Sequence, residues 1–195
     1  QEKSPRIIAI KGARIIPVIG EDIDQGIILI KEGKIEDIGK AVTIPSGAQV
    51  IEAKGLFAYP GMIDSFSFLG LQEISSIRAT VDSSETGRFN PQVRAVEALR
   101  PDSMHIPIAR ANGITAAVVA PTGGLISGQA GLIRLVGWTP EEIVVKSPVA
   151  MHIQFPSIPR FRGREARPRE ETSKQVEELK DLLNKARSYQ KIKEA

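Results

Sequence analysis

The chain contains no cysteine, which removes disulfides, thiolate metal sites and a cysteine nucleophile from consideration. Histidine is nearly as scarce, with only His105 and His152 among 195 residues. Two imidazoles with no third partner make a poor metal site, because zinc takes three or four protein ligands. No apolar run approaches the roughly 18–20 residues that would cross a bilayer, so a membrane span is not expected. The net charge of +3 is too small to imply a polyanionic partner by itself. What remains is a globular composition, 42% apolar and 25% charged, enough for one ordinary core or for a small domain plus part of a larger one. The opening Gln1-Glu2-Lys3-Ser4-Pro5 reads as the mature end left after removal of a signal peptide, giving an expectation of export to the periplasm or outside the cell.

Residues 6–58 carry short strand patterns. Arg6 to Val18 is rich in isoleucine with a turn at Lys11-Gly12. Gly26 to Ile30 is an apolar run ending in the polar turn Lys31-Glu32-Gly33-Lys34. Ile35 to Gly39 and Gln49 to Ala53 complete an expected meander around the turn Pro45-Ser46-Gly47. A further strand is expected over 61–69. The polar stretch from Leu71 to about Asn90 is too long for an ordinary connection, which suggests a loop over a site. Helical patterns follow at Gln92–Leu99 and again from an Asp102/Ser103 cap to the Asn112-Gly113 stop. The continuous apolar run Ile114–Ala120 is that of a parallel strand buried on both faces.

Four glycines lie within Pro121-Thr122-Gly123-Gly124-Leu125-Ile126-Ser127-Gly128-Gln129-Ala130-Gly131. They give a backbone that a ligand can approach closely, or a turn-rich linker. The segment is not a phosphate loop, since it lacks the Gly-Lys-Ser/Thr ending. Gly131 to Trp138 and Ile143 to Phe155 read as a strand pair inserted after the second parallel strand, with Trp138-Thr139-Pro140-Glu141-Glu142 as its turn. A linker carrying Arg160, Arg162, Arg164, Arg167 and Arg169 leads into a helix from about Pro168 to Lys193. Its single apolar stripe is Val176, Leu179, Leu182, Leu183, Ala186 and Tyr189. The carboxylates of that helix oppose phosphate, so no nucleic-acid partner is expected.

The run Tyr59-Pro60-Gly61-Met62-Ile63-Asp64-Ser65-Phe66-Ser67-Phe68-Leu69-Gly70 resembles the opening barrel strand of the amidohydrolase superfamily, P-G-[LMF]-I-D-x-H-x-H-x-G. The isoleucine-glycine pattern of Ile10 to Gly39 resembles the small β-sandwich preceding that barrel. The P-x-G-G-x-I-S-G-Q run resembles a loop of the imidazolonepropionase-like members. The resemblance implies an α/β fold: an N-terminal β-sandwich over 1–58, then over 59–195 the first part of a TIM-like (β/α)8 barrel, with a β-hairpin inserted at about 131–156. A whole barrel takes about 250 residues; the stretch from 59 to 195 is roughly half that and shows two barrel strands. The expected partner is therefore the remainder of the barrel, from the same polypeptide or a second chain, in an oligomer.

The implied reaction is metal-dependent hydrolysis of C–N bonds in amides, cyclic amides or peptides. The two histidines of the family motif are here Phe66 and Phe68, however, and phenylalanine has no lone pair to give a metal. Alternation along a strand puts residues 64, 66 and 68 on one face. The sequence thus leaves two functions open: a hydrolase whose zinc or other divalent metal would be held by downstream residues, or a non-catalytic pseudoenzyme subunit. No cofactor is expected on this chain alone. Gly124, Ser127, Gln129 and His152 are the candidate substrate-binding residues. Glu73 and the Asp82-Ser83-Ser84-Glu85 cluster read more simply as a solvated loop.

Overall fold

The computed structural model describes residues 7–156 and 169–194. Its contacts divide into two units, Gln1–Gly61 and Met62–Ala195. The arginine-rich linker before Arg169 lies outside the described residues.

The first unit is one mixed sheet. It comprises β1 (Ile7–Ile15), β2 (Ile23–Lys31), β3 (Lys34–Gly39), β4 (Gln49–Glu52) and β5 (Phe57–Ala58). The spatial order is β3-β2-β1-β4, with β5 also on β1. A two-residue loop joins β2 to β3, and both its residues, Glu32 and Gly33, have positive φ. That matches the turn whose twist suits a hairpin. The expected meander stops there: β4 and β5 both run parallel to β1, so they return to its far edge and do not continue from β3. Two strands give one edge because β1 changes character at Gly12. Lys11 faces Ile27 and Ala13 faces Gly26, which leaves Gly12 unpaired at φ +84. Such a bulge shifts side-chain parity by one. Ile10 before it and Ala13 and Ile15 after it therefore share a cluster with Ala53, Ile28 and Ile38. Ala9, Leu29 and Val42 form the cluster on the opposite face. Both faces are apolar, as a sandwich layer requires, although the described residues form a single sheet here.

The second unit carries a four-stranded sheet, β6-β7-β8-β9. Its strands are β6 (Met62–Ser67), β7 (Ile114–Val119), β8 (Ile126–Arg134) and β9 (Val144–Ile153). β6 and β7 are parallel, joined through α1 (His105–Ala111), the expected strand-helix-strand unit. The helical pattern at 92–99 yields only a 3-10 turn at Ala95–Ala98. The hairpin departs from expectation in two ways. It begins at Ile126, five residues early, so half of the glycine segment is strand. It also does not stand apart, since β8 pairs antiparallel with β7 and takes the edge where a third parallel strand would lie. The 138–142 turn includes a single helical turn, α2 (Pro140–Ile143), capped by Thr139.

One face of this sheet is the core of the unit. Ala117, Val119, Ile133, Leu135 and Ile143 pack beneath Leu71, Ala95, Val96, Leu99 and Ile106. The outward face keeps Ile63, Phe66, Val145 and Met151 exposed. No closed barrel forms among the described residues. The long helix α3 (Arg169–Glu194) docks by a small part of its stripe. Leu179 and Leu182 sit on Leu125, Ile126 and Ile153, and Glu178 pairs with Arg88 at 2.6 Å. Leu183 and Tyr189 remain exposed.

Candidate functional site

The site follows from the register of β8. Its partner β7 ends at Val119, opposite Gly131, so residues 126–130 run on beyond the C-terminal end of the parallel pair. At about 3.3 Å per residue that overhang is roughly 16 Å. β9 returns alongside it, with His152 opposite Gly128 and Ile153 opposite Ile126. The overhang carries His152 back across the ends of β6 and β7. Its ring centroid lies 4.9 Å from that of Phe66, and Phe66 meets Phe68 edge-on at 5.2 Å. One Nδ1 hydrogen bond holds the imidazole to the Pro121 carbonyl.

Regular alternation does not hold through β6. Asp64 pairs with Ala117 and Ser67 with Val119, an irregular step. Phe66 and Phe68 still share a face because the buried Ser67 between them points the other way. Asp64 accepts a hydrogen bond from the Phe66 backbone N–H at 3.2 Å, a turn-forming role. Ser67 Oγ likewise accepts from Leu69 N–H at 3.2 Å.

Of the four candidate binding residues, only His152 reaches this cluster. Gly124 and Gln129 hold the long loop down. Beyond the end of β7 the loop takes over as the neighbour of β8: Phe89 bridges Ile126 and Arg94 bridges Gln129, both in parallel sense. Gln129 donates from its backbone N–H to Val93 O at 2.7 Å and from Nε2 to Pro91 O at 2.8 Å. Gly124 lies where a Cβ would come within 2.7 Å of the Gly87 carbonyl. Ser127 is fully buried, and its Oγ has no hydrogen-bond partner among the described residues. The close approach that the glycines permit is therefore made by the chain's own residues 87–96. Sequence reasoning found the need for a close approach but could not name what approached.

The other histidine is structural. His105 Nε2 donates to the Glu73 backbone carbonyl at 2.9 Å and lies 3.9 Å from the Glu73 carboxylate, pinning the loop to α1. The loop also walls a cavity of about 490 Å³ that Pro121 closes on one side, with Arg78, Asp82, Glu85, Arg94 and Glu97 on its lining. Charges of both signs share that lining, and Arg94 pairs with Glu97 at 2.9 Å. The sequence marked Asp82 and Glu85 but not Arg78, which lies in a short 3-10 turn, or Arg94, which precedes the 3-10 turn formed within the expected helix at 92–99.

The divalent metal of the family does not fit the residues present. Phe66 and Phe68 offer no donor atoms, and their rings fill the space on the His152 side. Among the described residues no three His, Asp or Glu side chains gather as a metal would need.

No protein-family model matches the chain. It is 31% identical over 137 residues to a dihydroorotase of Geobacter sulfurreducens, which covers 64% of this chain and 31% of that relative. It is 25% identical over 114 residues to the amidohydrolase tasK of Hapsidospora irregularis, covering 56% of this chain and 12% of that one. The crystal structure of an amidohydrolase from Thermotoga maritima MSB8 superimposes on 96% of this chain with a TM-score of 0.79 at 26% identity. In sequence and in fold the chain is similar to proteins of the amidohydrolase superfamily. It spans about a third of the length of the dihydroorotases it matches and 49% of the Thermotoga chain. At the end of β6, Phe66 and Phe68 make an aromatic cluster with His152 of β9.

Proposed function

We propose that this chain is the N-terminal portion of an amidohydrolase-fold hydrolase acting on C–N bonds of amides, cyclic amides or peptides, in which the strand-one metal position has become an aromatic binding face. The remainder of the barrel comes from the same polypeptide or from a second chain, in an oligomer exported from the cytoplasm. One observation carries the reading: Phe66, Phe68 and His152 converge at the C-terminal end of β6, the end at which barrels of this type build their sites. There the chain's own residues bind and orient. Phenyl faces take a flat, weakly polar group out of water.

A second reading is favoured by the same cluster. Two rings packed on a third are a stable apolar closure, so the chain also suits a non-catalytic subunit that keeps the fold for binding.

The test uses the protein purified from its natural source. Hydrolysis is measured with hydantoin, dihydroorotate and N-acyl amino acids, and zinc per polypeptide by elemental analysis, for wild type and for the doubly substituted Phe66→His/Phe68→His form. Turnover of at least one substrate by wild type is expected. The substituted form is expected to hold about one further zinc, because three imidazoles then gather within reach of one cation. No turnover of any substrate would establish the non-catalytic reading. No gain in zinc would show that positions 66 and 68 do not face a common site.

A further inference from the structure

We infer that His152 is a hydrogen-bond acceptor for the N–H of a bound cyclic amide or imide, its bare Nε2 set in place by the Pro121 carbonyl and by Phe66. The inference rests on the amide-type substrate class proposed above and assigns its polar contact.

The tautomer follows from the partner. A backbone carbonyl can only accept, so Nδ1, which bonds to Pro121 O, must carry the proton. In a neutral imidazole the other nitrogen is then an acceptor with a free lone pair. No protein group donates to Nε2 among the described residues, while Nδ1 is fully engaged. The ring is held twice: through Nδ1, and by its tilted contact with Phe66 at 4.9 Å and 49°. A carbonyl on one imidazole nitrogen is the arrangement proteins use to aim the other nitrogen at a ligand.

The contrast with His105 sharpens the point. There Nε2 itself donates to the Glu73 carbonyl, so the atom that would meet a ligand is already committed to the loop. His105 belongs to the scaffold. His152 has the opposite arrangement, and it stands beside the ring of Phe66. Phe66 touches both Phe68 and His152 and is 45% exposed among the described residues. An acceptor next to an aromatic face matches a planar ring bearing an N–H: the ring lies on the phenyl group and the N–H points to Nε2.

The chemistry also sets what the site rejects. An N-methylated ring keeps the stacking but removes the donor and places a methyl group against the lone pair. Loss of one such hydrogen bond corresponds to about a tenfold change in affinity.

The experiment measures equilibrium binding of hydantoin and of its N,N′-dimethyl derivative to the naturally purified protein, to His152→Phe and to His152→Gln. Phenylalanine retains the packing on Phe66 but cannot accept; glutamine offers a carbonyl oxygen in roughly the same place. Wild type is expected to prefer hydantoin about tenfold, His152→Phe to lose that preference, and His152→Gln to keep part of it. Nitrogen NMR of the protein labelled at histidine reads the tautomer independently, with Nε2 of His152 expected as the unprotonated nitrogen. A preference that survives in His152→Phe would overturn the role of His152 while leaving the proposed substrate class intact. A wild type that binds neither ring would overturn both. A protonated Nε2 with a bare Nδ1 would overturn the acceptor assignment whatever the binding result.

Discussion

Replacing Gly128 by alanine should destabilise the second unit without any ligand being present. Gly128 has φ +135, where side chains are rarely tolerated, and a Cβ there would stand 2.6 Å from the Val93 carbonyl oxygen and 3.0 Å from Pro121 Cγ. Carbon and oxygen approach comfortably only to about 3.3 Å, so the loop must retreat by about 0.7 Å. Val93 O is also the acceptor for the Gln129 N–H at 2.7 Å, and the retreat breaks that bond. Backbone strain of about 2 kcal/mol and a lost hydrogen bond of about 1 kcal/mol sum to roughly 3 kcal/mol. The control is Gly39→Ala, whose Cβ would meet only Val42 Cγ2 at 3.6 Å; it should change stability by less than about 0.5 kcal/mol. Urea unfolding gives the totals, and amide hydrogen exchange at Gln129 locates the damage. A Gly128→Ala protein as stable as wild type, with Gln129 still protected, would refute the conclusion that the loop is what the glycines admit. Should that protein instead lose only ligand binding, the glycine would serve a ligand after all.

Two further outcomes test how the periphery is fixed. Leu179 is 6% exposed and packs on Leu125 and Ile126, so Leu179→Ala should cost about 2–3 kcal/mol. The loss should appear as roughly 30- to 150-fold faster hydrogen exchange in α3, with the β6–β9 sheet still protected; uniform loss across the sheet would mean that α3 is part of the core. At α2, Thr139 Oγ1 accepts from Glu142 N–H at 3.3 Å and Glu142 returns a hydrogen bond from Trp138 N–H at 2.8 Å, and Thr139→Ala should cost about 1 kcal/mol. The Glu141 carboxylate is held below its ordinary 4.5 first by its own backbone N–H and then by the Thr139 hydroxyl. A carboxylate with a depressed pKa stabilises the fold above its unfolded pKa, and that contribution fades as the pH falls through the folded value. Thr139→Ala should therefore raise the Glu141 pKa in an NMR titration, and an unchanged value would rule out the hydroxyl contact.

What was legible in the chain was legible because it is local. Lys31-Glu32-Gly33-Lys34 marks a polar turn between apolar runs, Asn112-Gly113 ends a helix, and the apolar run at 114–120 makes a strand. The absence of donor atoms at Phe66 and Phe68 is likewise visible without coordinates, because lone pairs belong to the residue and not to the fold. The amidohydrolase motif around them named the superfamily. Only the tertiary structure decided the rest. Nothing local distinguishes β4 continuing from β3 from β4 returning to β1, since either neighbour offers β4 the same kind of backbone partner. Ser127, Gly128 and Gln129 read as loop because glycine lowers strand propensity, yet pairing with both β9 and the 87–96 segment outweighs it. The contact between His152 and Phe66 depends on how far β8 overshoots β7, a register set by the packing of Gly131 under Val96 and of Ile133 in the core. Register is a relation between distant segments, and a one-dimensional pattern does not carry it.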